Sequence, residues 1–388
     1  MKFSSQLGDF QKLIQKVLPA IPLRAAFDAL EHIKLTLDGN ILTAVASDIE
    51  ITIKSSASVM GSEDGEILAP AKMLSDVVKV LDPSKDIVFE CDPEDLLIRI
   101  ISGKSKYQLN AMSGDDYILV PEIFDKEIPT EDAIDNNVAT FKKDVLQDLA
   151  SKTYYAVSAD NYRPGMTGVL FQFRENYLNA VGTDSYRLVR ATNFAETNVY
   201  PKDLDIILPE KAVELCRKLD DDVTMFIDYD KGKPKQVRID NANTSIVARL
   251  LNESFPKYET IIPKVTNYQA TFDISEFIAG IKRIVPLAGK GNKCRMEFST
   301  DKLVILAEND ERGEIASEEI PCELIDTDSF VVSYNIKFLL EMIGTITAND
   351  TTNNMVSFYF ISPDKAALIK PKAEKDSLVM ILMPMRVY

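Results

Sequence analysis

The strongest constraint on this chain is a unit written three times. Leu42-Thr43-Ala44-Val45-Ala46-Ser47-Asp48 and Leu178-Asn179-Ala180-Val181-Gly182-Thr183-Asp184 match position by position through the aspartate. Leu303-Val304-Ile305-Leu306-Ala307-Glu308-Asn309-Asp310 is a weaker third copy. Each reads as an alternating strand running into an acidic turn. The flanks repeat as well. Apolar residues at three- and four-residue spacing predict a helix before each strand, over 9–17, 142–150 and 274–285. A second helix follows a strand in each copy, over 71–81, 210–219 and 334–343. Pro70 and Pro209 stand at two of those helix starts, where a missing N–H costs nothing. Alternating segments such as 86–90, 96–101 and 105–111 complete the unit. Helix, strands, helix, strands in a meander is an α+β fold of antiparallel sheets. Linkers carrying Pro121, Pro129 and Pro263 fall over 120–135 and 258–268, so three domains are expected over 1–125, 135–258 and 266–388.

Little in the sequence suggests reaction chemistry. Histidine occurs once, at His32, which removes every multi-histidine metal site. His32 falls at the start of a predicted strand and reads as a surface or packing residue. Neither GxGxxG nor GxxxxGK[ST] occurs, and Gly289-Lys290-Gly291-Asn292-Lys293 lacks phosphate-cradle spacing and reads as a basic loop. The acidic runs Asp115-Asp116 and Asp220-Asp221-Asp222 read as solvated turns. The four cysteines, Cys91, Cys216, Cys294 and Cys322, are scattered without CxxC spacing. Neither a disulfide framework nor a zinc site is expected, and a reducing, cytoplasmic setting fits. The first ten residues show no secretory h-region, and no apolar stretch approaches the roughly 20 residues of a membrane helix. The chain therefore reads as a binding or structural protein with no catalytic residue, metal or cofactor.

The net charge is −16, which excludes a protein that coats nucleic acid with its whole surface. The six predicted helices nevertheless carry more basic than acidic residues. Either they form one face that tolerates a polyanion, or they are ordinary amphipathic helices with lysine on the wet side. A second asymmetry concerns edges. Residues 102–107 form a basic strand with Lys104 and Lys106, while Glu308, Asp310, Glu311, Glu314, Glu318 and Glu319 form an acidic stretch. Opposite charges on two exposed edges favour head-to-tail pairing of copies, which can close into a ring. Two charged edges that simply resist aggregation are the alternative.

These residues together resemble the bacterial DNA polymerase III beta subunit family, the DNA sliding clamps, along the whole chain. The likeness is carried by Met1-Lys2-Phe3, Arg24, Ser47-Asp48-Ile49-Glu50, Gly182-Thr183-Asp184-Ser185-Tyr186-Arg187-Leu188, Ser254-Phe255-Pro256-Lys257-Tyr258 and the ending Met383-Pro384-Met385-Arg386-Val387. The resemblance implies the DNA clamp fold, three tandem repeats each with two helices inside and antiparallel sheets outside. It implies a head-to-tail homodimer closed as a ring around duplex DNA, held by topology rather than sequence readout. The implied dimer contacts are Lys104, Lys106, Leu287, Glu311 and Glu314. For DNA, Arg24 matches a family contact, with Lys72, Arg163 and Lys211 as weaker matches. The implied partners are the replicative DNA polymerase subunit, the clamp loader and other proteins carrying a clamp-binding motif.

The family binds that motif in a pocket. By match it falls at Met166, Thr183, Ser185, Tyr186, Arg187, Leu188, Pro256 and Asn335, closed by Ile381, Leu382, Met383, Pro384, Met385 and Arg386. Methionine adapts to varied apolar peptides. Arg187 and Arg386 are expected to hold acidic or backbone oxygen groups. The chain departs from the family at Ser185-Tyr186, where Gly-His is common, at Thr260, where arginine is common, and in the additional Tyr388. Two rival readings remain at this point: an enzyme with Asp184 as its carboxylate, and a dimeric scaffold unrelated to DNA. The recurrence of the same aspartate at Asp48 favours a turn role over a single active site.

Overall fold

The computed structural model describes residues 1–92, 94–117, 120–128, 137–194, 198–309, 311–346, 354–372 and 377–385. Pro129, Asp310, Arg386 and Tyr388, singled out by the sequence, lie outside them. Three copies of one element order follow each other. The first runs β1 (Lys2–Gln6), α1 (Leu7–Val17), β2 (His32–Asp38), β3 (Ile41–Ser47), β4 (Ile51–Ser58), β5 (Met60–Glu63), β6 (Gly65–Pro70), α2 (Ala71–Val80), β7 (Asp86–Asp92), β8 (Leu97–Ser102) and β9 (Ser105–Asn110), with a short β10 (Met112–Ser113) after it. The second runs β11 (Val138–Phe141), α3 (Val145–Thr153), β12 (Gly168–Arg174), β13 (Tyr177–Thr183), β14 (Arg187–Phe194), β15 (Asp203–Pro209), α4 (Glu210–Cys216), β16 (Val223–Asp230), β17 (Lys233–Asn241) and β18 (Thr244–Arg249). The third runs β19 (Tyr268–Asp273), α5 (Ile274–Ile284), β20 (Lys293–Ser299), β21 (Lys302–Asn309), β22 (Glu314–Pro321), β23 (Glu323–Ile325), β24 (Ser329–Asn335), α6 (Ile336–Gly344), β25 (Met355–Phe360), β26 (Ala367–Pro371) and β27 (Leu378–Leu382).

The chain forms two compact units. The first comprises Met1–Asp144, Thr197–Pro201 and Leu219–Leu250, the second Val145–Glu196, Lys202–Lys218 and Leu251–Tyr388. The first unit holds a five-stranded sheet, β5-β1-β7-β8-β9, and a nine-stranded one, β10-β6-β2-β3-β4-β18-β17-β16-β11. The second holds a nine-stranded sheet, β15-β12-β13-β14-β27-β26-β25-β19-β23, and a four-stranded one, β22-β21-β20-β24. All their pairings are antiparallel. Each nine-stranded sheet is joined in the middle by the last strand of a later repeat. β18 pairs with β4, setting Ile246 opposite Ile53, and β27 pairs with β14, setting Met380 opposite Val189.

The helices form where the sequence spacing places an apolar stripe. α1 buries Leu7, Phe10, Leu13, Ile14 and Val17, and α5 buries Ile274, Phe277, Gly280, Ile281 and Ile284 at the same intervals. Each stripe meets two aromatic rings from the strands beneath. Phe3 and Phe89 stack with centroids 5.0 Å apart against Phe10, and Phe272 and Phe358 lie 5.1 Å apart against Phe277. Gly280 stands where α1 has Leu13. A Cβ there would meet Ile320 at 3.1 Å, so the helix lies close to β22.

Several helix boundaries differ from expectation: α1 starts earlier, at Leu7, α3 runs on to Thr153, and α4 ends earlier, at Cys216. α3 starts at Val145 because Lys142 and Lys143 are held outside it. The Asp222 carboxylate accepts from the Lys143 N–H at 2.8 Å and pairs with Lys142 Nζ at 2.9 Å. The run at 220–222 is therefore a bonded turn, not merely a solvated one. α6 starts at Ile336 because Tyr334 stays in β24 and Asn335 caps the helix, its side chain accepting from the Lys337 and Phe338 N–H groups. Pro70 and Pro209 are cap residues ending a strand rather than first-turn residues. His32 opens β2, its Nδ1 2.9 Å from the Asp28 carbonyl oxygen. All four cysteines are buried and unpaired, and burial pushes the Cys216 and Cys294 thiols up to about 12. Among the described residues no helix is long and apolar enough to cross a membrane.

Candidate functional site

The repeated aspartate builds a tight turn in both full copies. Asp184 Oδ1 accepts from the Tyr186 and Arg187 N–H groups, both at 2.9 Å. Asp48 Oδ1 accepts from Glu50 at 3.1 Å and Ile51 at 2.7 Å. The residue after each aspartate takes a left-handed backbone, φ 76° at Ser185 and 81° at Ile49. Glycine would adopt it at no cost; a β-branched isoleucine does not. The carboxylate is thus occupied by the backbone, a structural use that leaves the enzyme reading without its group.

In the second unit this turn meets the C-terminal strand. β27 lies antiparallel to β14 with Leu382 opposite Arg187 and Ile381 opposite Leu188. The ladder continues past the strand end, where the Met383 N–H donates to the Tyr186 carbonyl at 2.8 Å and the Met385 N–H to the Ser333 carbonyl at 2.7 Å. Proline at 384 has no N–H to give, so the chain steps between two acceptors rather than extending the sheet. Leu188 and Ile381 are buried in one apolar cluster with Leu170, Val181, Ile207, Tyr258, Leu368 and Val379; Leu251, Phe255, Ile262 and Tyr359 pack around it. They form a floor. The rim is open: Tyr186 is 64% and Met383 44% exposed, and Ser185 and Pro256 are exposed. Met166 and Thr183 are buried beside the turn; Ser185 Oγ lies 3.7 Å from Met166 Sδ, and Thr183 Oγ1 donates to the Arg187 carbonyl at 2.8 Å. Met385 and Pro384 are half-buried, and Leu382 is fully buried.

Arg187 does not do what its charge suggests. It is 7% exposed, and all three guanidinium nitrogens donate internally: Nε to Asp184 at 3.0 Å, one terminal nitrogen to the Tyr155 carbonyl at 2.6 Å, the other to Glu341. Its plane lies 4.2 Å from the Phe338 ring centroid and 5.2 Å from that of Tyr155. The expectation that Arg187 holds a ligand's acidic groups is therefore corrected: it is a brace tying the turn to α6. Tyr155, Phe338 and Glu341 carried no motif and were missed; only the fold brings them to Arg187. Asn335 likewise spends its side-chain oxygen on the α6 cap.

The other sequence candidates fall as follows. Arg24 and Lys72 are exposed. Lys211 is half-buried, and Arg163 donates to Ser185 Oγ at 2.8 Å, which sets it beside the turn. Lys104 and Lys106 are exposed at and next to the start of β9, an edge strand. Glu311 pairs with Lys290 at 3.0 Å, Glu314 stands at the start of β22, also an edge strand, and Leu287 is half-buried in a short helical turn after α5.

A buried charge that loses its partners is costly, whereas a half-exposed one is not. Arg187→Ala is expected to destabilise the second unit by about 3 kcal/mol. Glu341→Gln should cost under about 1 kcal/mol. Amide hydrogen exchange in β14 and β27 reads the difference, and equal protection in both variants would contradict the brace.

Comparisons with known proteins agree with this geometry. Family models for the DNA polymerase III beta subunit match three times: the N-terminal domain over residues 1–121, the central domain over 140–257 and the C-terminal domain over 259–386. The beta sliding clamps of Staphylococcus aureus and Staphylococcus epidermidis are each 28% identical, with all of both chains covered. The solved sliding clamp of Pseudomonas aeruginosa bound to griselimycin is 23% identical with a TM-score of 0.85, and the beta subunit of Thermotoga maritima 17% identical with a TM-score of 0.83, each over the full length of both chains. The chain belongs to the DNA polymerase III beta subunit family, non-enzymatic sliding clamps that serve as DNA polymerase processivity factors.

Proposed function

We propose that this chain closes head to tail with a second copy into a ring around duplex DNA, and that the rim at 183–188 and 383–386 holds linear motifs of the proteins it tethers. The observation that carries the ring is the pattern of strand completion. In each repeat the last strand is free to complete the sheet of a preceding one: β18 does so on β4, and β27 on β14. Among the described residues the corresponding strands β9 and β22 have no such partner and end their sheets. A second copy supplies the missing partner to each. Loops of equal length make Glu314, opposite Asn309, the counterpart of Thr52, opposite Ser47. Likewise Ser105, opposite Ser102, is the counterpart of Thr244, opposite Asn241. The register that sets Ile53 against Ile246 then sets Ile315 of one copy against Tyr107 of the other. Ile53 and Ile246 are 1% and 3% exposed, whereas Ile315 is 69% exposed. An isoleucine left in water at a position buried in the internal join supports an absent partner. The charges also agree, with Lys104 and Lys106 on one edge and Glu314, Glu318 and Glu319 on the other. Glu318 and Glu319 already pair with Arg283 and Lys302, both at the surface, so this steering is modest.

The domain limits that go with this reading are 1–125, 135–258 and 266–388. Arg24 and Lys72, with Arg163 and Lys211 as secondary contacts, would meet phosphates loosely, as sliding requires. The partners would be the replicative polymerase subunit, the clamp loader and other motif-bearing proteins, in the cytoplasm. The motif would set its apolar side chains on the Leu188–Ile381 floor between Tyr186, Met383 and Pro256.

A labelled Gln-Leu-Ser-Leu-Phe peptide should bind the full chain and lose at least about tenfold in affinity to a chain ending at Leu382. Unchanged affinity, with the fold intact by circular dichroism, would overturn the rim assignment. Lys104→Glu with Lys106→Glu should raise the dimer dissociation constant about tenfold in low salt and less in high salt, read by analytical ultracentrifugation. No change at either salt would remove these lysines from the interface.

A further inference from the structure

We propose that the first unit carries a second linear-peptide site, the repeat-related counterpart of the rim just described, and that it takes an extended segment with an apolar side chain beside basic ones. The peptide class rests on the reading of the first site; the cavity does not. A recess of about 690 Å³ lies beside the Asp48 turn, and its wall includes Ile49, Pro121 and Val247.

Its construction repeats the strand pairing and the turn of the C-terminal site, without the Arg187 brace. Val247 lies opposite Thr52 as Ile381 lies opposite Leu188. Past the strand, the Arg249 N–H donates to the Glu50 carbonyl at 3.0 Å, as Met383 does to Tyr186 at 2.8 Å. The linker turns at a proline in both, through different bonds: the Pro121 carbonyl accepts from Phe124, three residues on, at 3.1 Å, and that of Pro256 from Tyr258, two residues on, at 2.7 Å. Ile123 then fills an apolar cluster with Val247, as Tyr258 does with Ile381. The left-handed turn residue, Ile49, is 40% exposed and faces the recess. A β-branched residue in that conformation is strained, and strain of this kind gathers at binding sites.

The chemistry of the rim differs, which separates the two sites. Where the first site has Tyr186 and Met383, the second has Glu50 and Arg249, paired at 3.8 Å. Lys126 pairs with Asp228 at 2.6 Å. Glu122 and Asp230, both exposed, are then set against Lys235, an excess of acid that favours a basic segment.

The test uses the full-length chain and two pentapeptides with photoreactive leucine at position two, neutral Gln-Leu-Ser-Leu-Phe and basic Lys-Leu-Lys-Leu-Phe. Cross-linked segments are read by mass spectrometry. The basic peptide should label 47–52 and 120–126. That labelling should fall about tenfold in Glu122→Lys/Asp230→Lys, which removes the acid, and in Ile49→Gly, which suits the left-handed backbone while deleting the apolar wall. Labelling of 183–188 and 381–385 by the neutral peptide should not change in either variant. Absence of label at 47–52 and 120–126, or label there that both variants leave unaltered, would overturn the second site. Loss of the neutral peptide's label at 183–188 alone would instead refute the first.

Discussion

Everything in this molecule depends on backbone hydrogen bonds shared between repeats. β18 enters the sheet begun by β4, and β27 the sheet begun by β14, so each nine-stranded sheet is continuous across a repeat boundary. A ladder of N–H···O=C bonds is indifferent to side-chain identity, and an unpaired ladder is costly to bury. The joins therefore fix geometry, while the residues on them vary: Ile53 against Ile246 in one, Val189 against Met380 in the other. The recesses and turns on the surface are consequences of where these joins end.

Both rims follow from that constraint. A strand that finishes a foreign sheet leaves its next residues beside the neighbouring turn, and an aspartate holds that turn closed. At the C-terminal join the following residues are Met383 and Met385, apolar and adaptable. At the other join the corresponding position is Arg249, drawn to Glu50. The same architecture thus carries two different surfaces. The Arg187 brace belongs to the C-terminal join, since its counterpart by position is Ile51, and a buried guanidinium anchored to Asp184 and Glu341 ties that turn to α6.

Much of this was legible in the sequence. The threefold repeat, the antiparallel meander, the helices and the turn role of Asp48 and Asp184 are all local patterns of spacing, and spacing is what a sequence displays. The two charged edges were legible too, because Lys104 and Lys106 stand at the start of β9 while β22 carries Glu314, Glu318 and Glu319. What was not legible depends on which strands meet. Nothing in Leu188 or Ile381 says that they face each other, and nothing in Arg187 says that Tyr155, Phe338 and Glu341 surround it. A free-looking cation became a buried brace because its partners come from α6 and the turn after α3, away from it in the chain. The helix limit at Val145 was missed for a similar reason, since Asp222, far off in the chain, holds Lys142 and Lys143 outside the helix, whereas the Asn335 cap that sets Ile336 is local.

The central claim is that the open edges β9 and β22 complete each other between two copies, in the register of the internal joins. A Tyr107→Cys/Ile315→Cys variant tests it most directly, because antiparallel partners lie at about 4.5–5.5 Å between Cα atoms, within disulfide reach. The four native cysteines are buried, so the introduced pair reports alone. Mild oxidation should give a covalent dimer linked twice, which stays on closed circular duplex in high salt and leaves once the circle is cut. A variant that remains monomeric under oxidation, with its fold intact, would contradict the account.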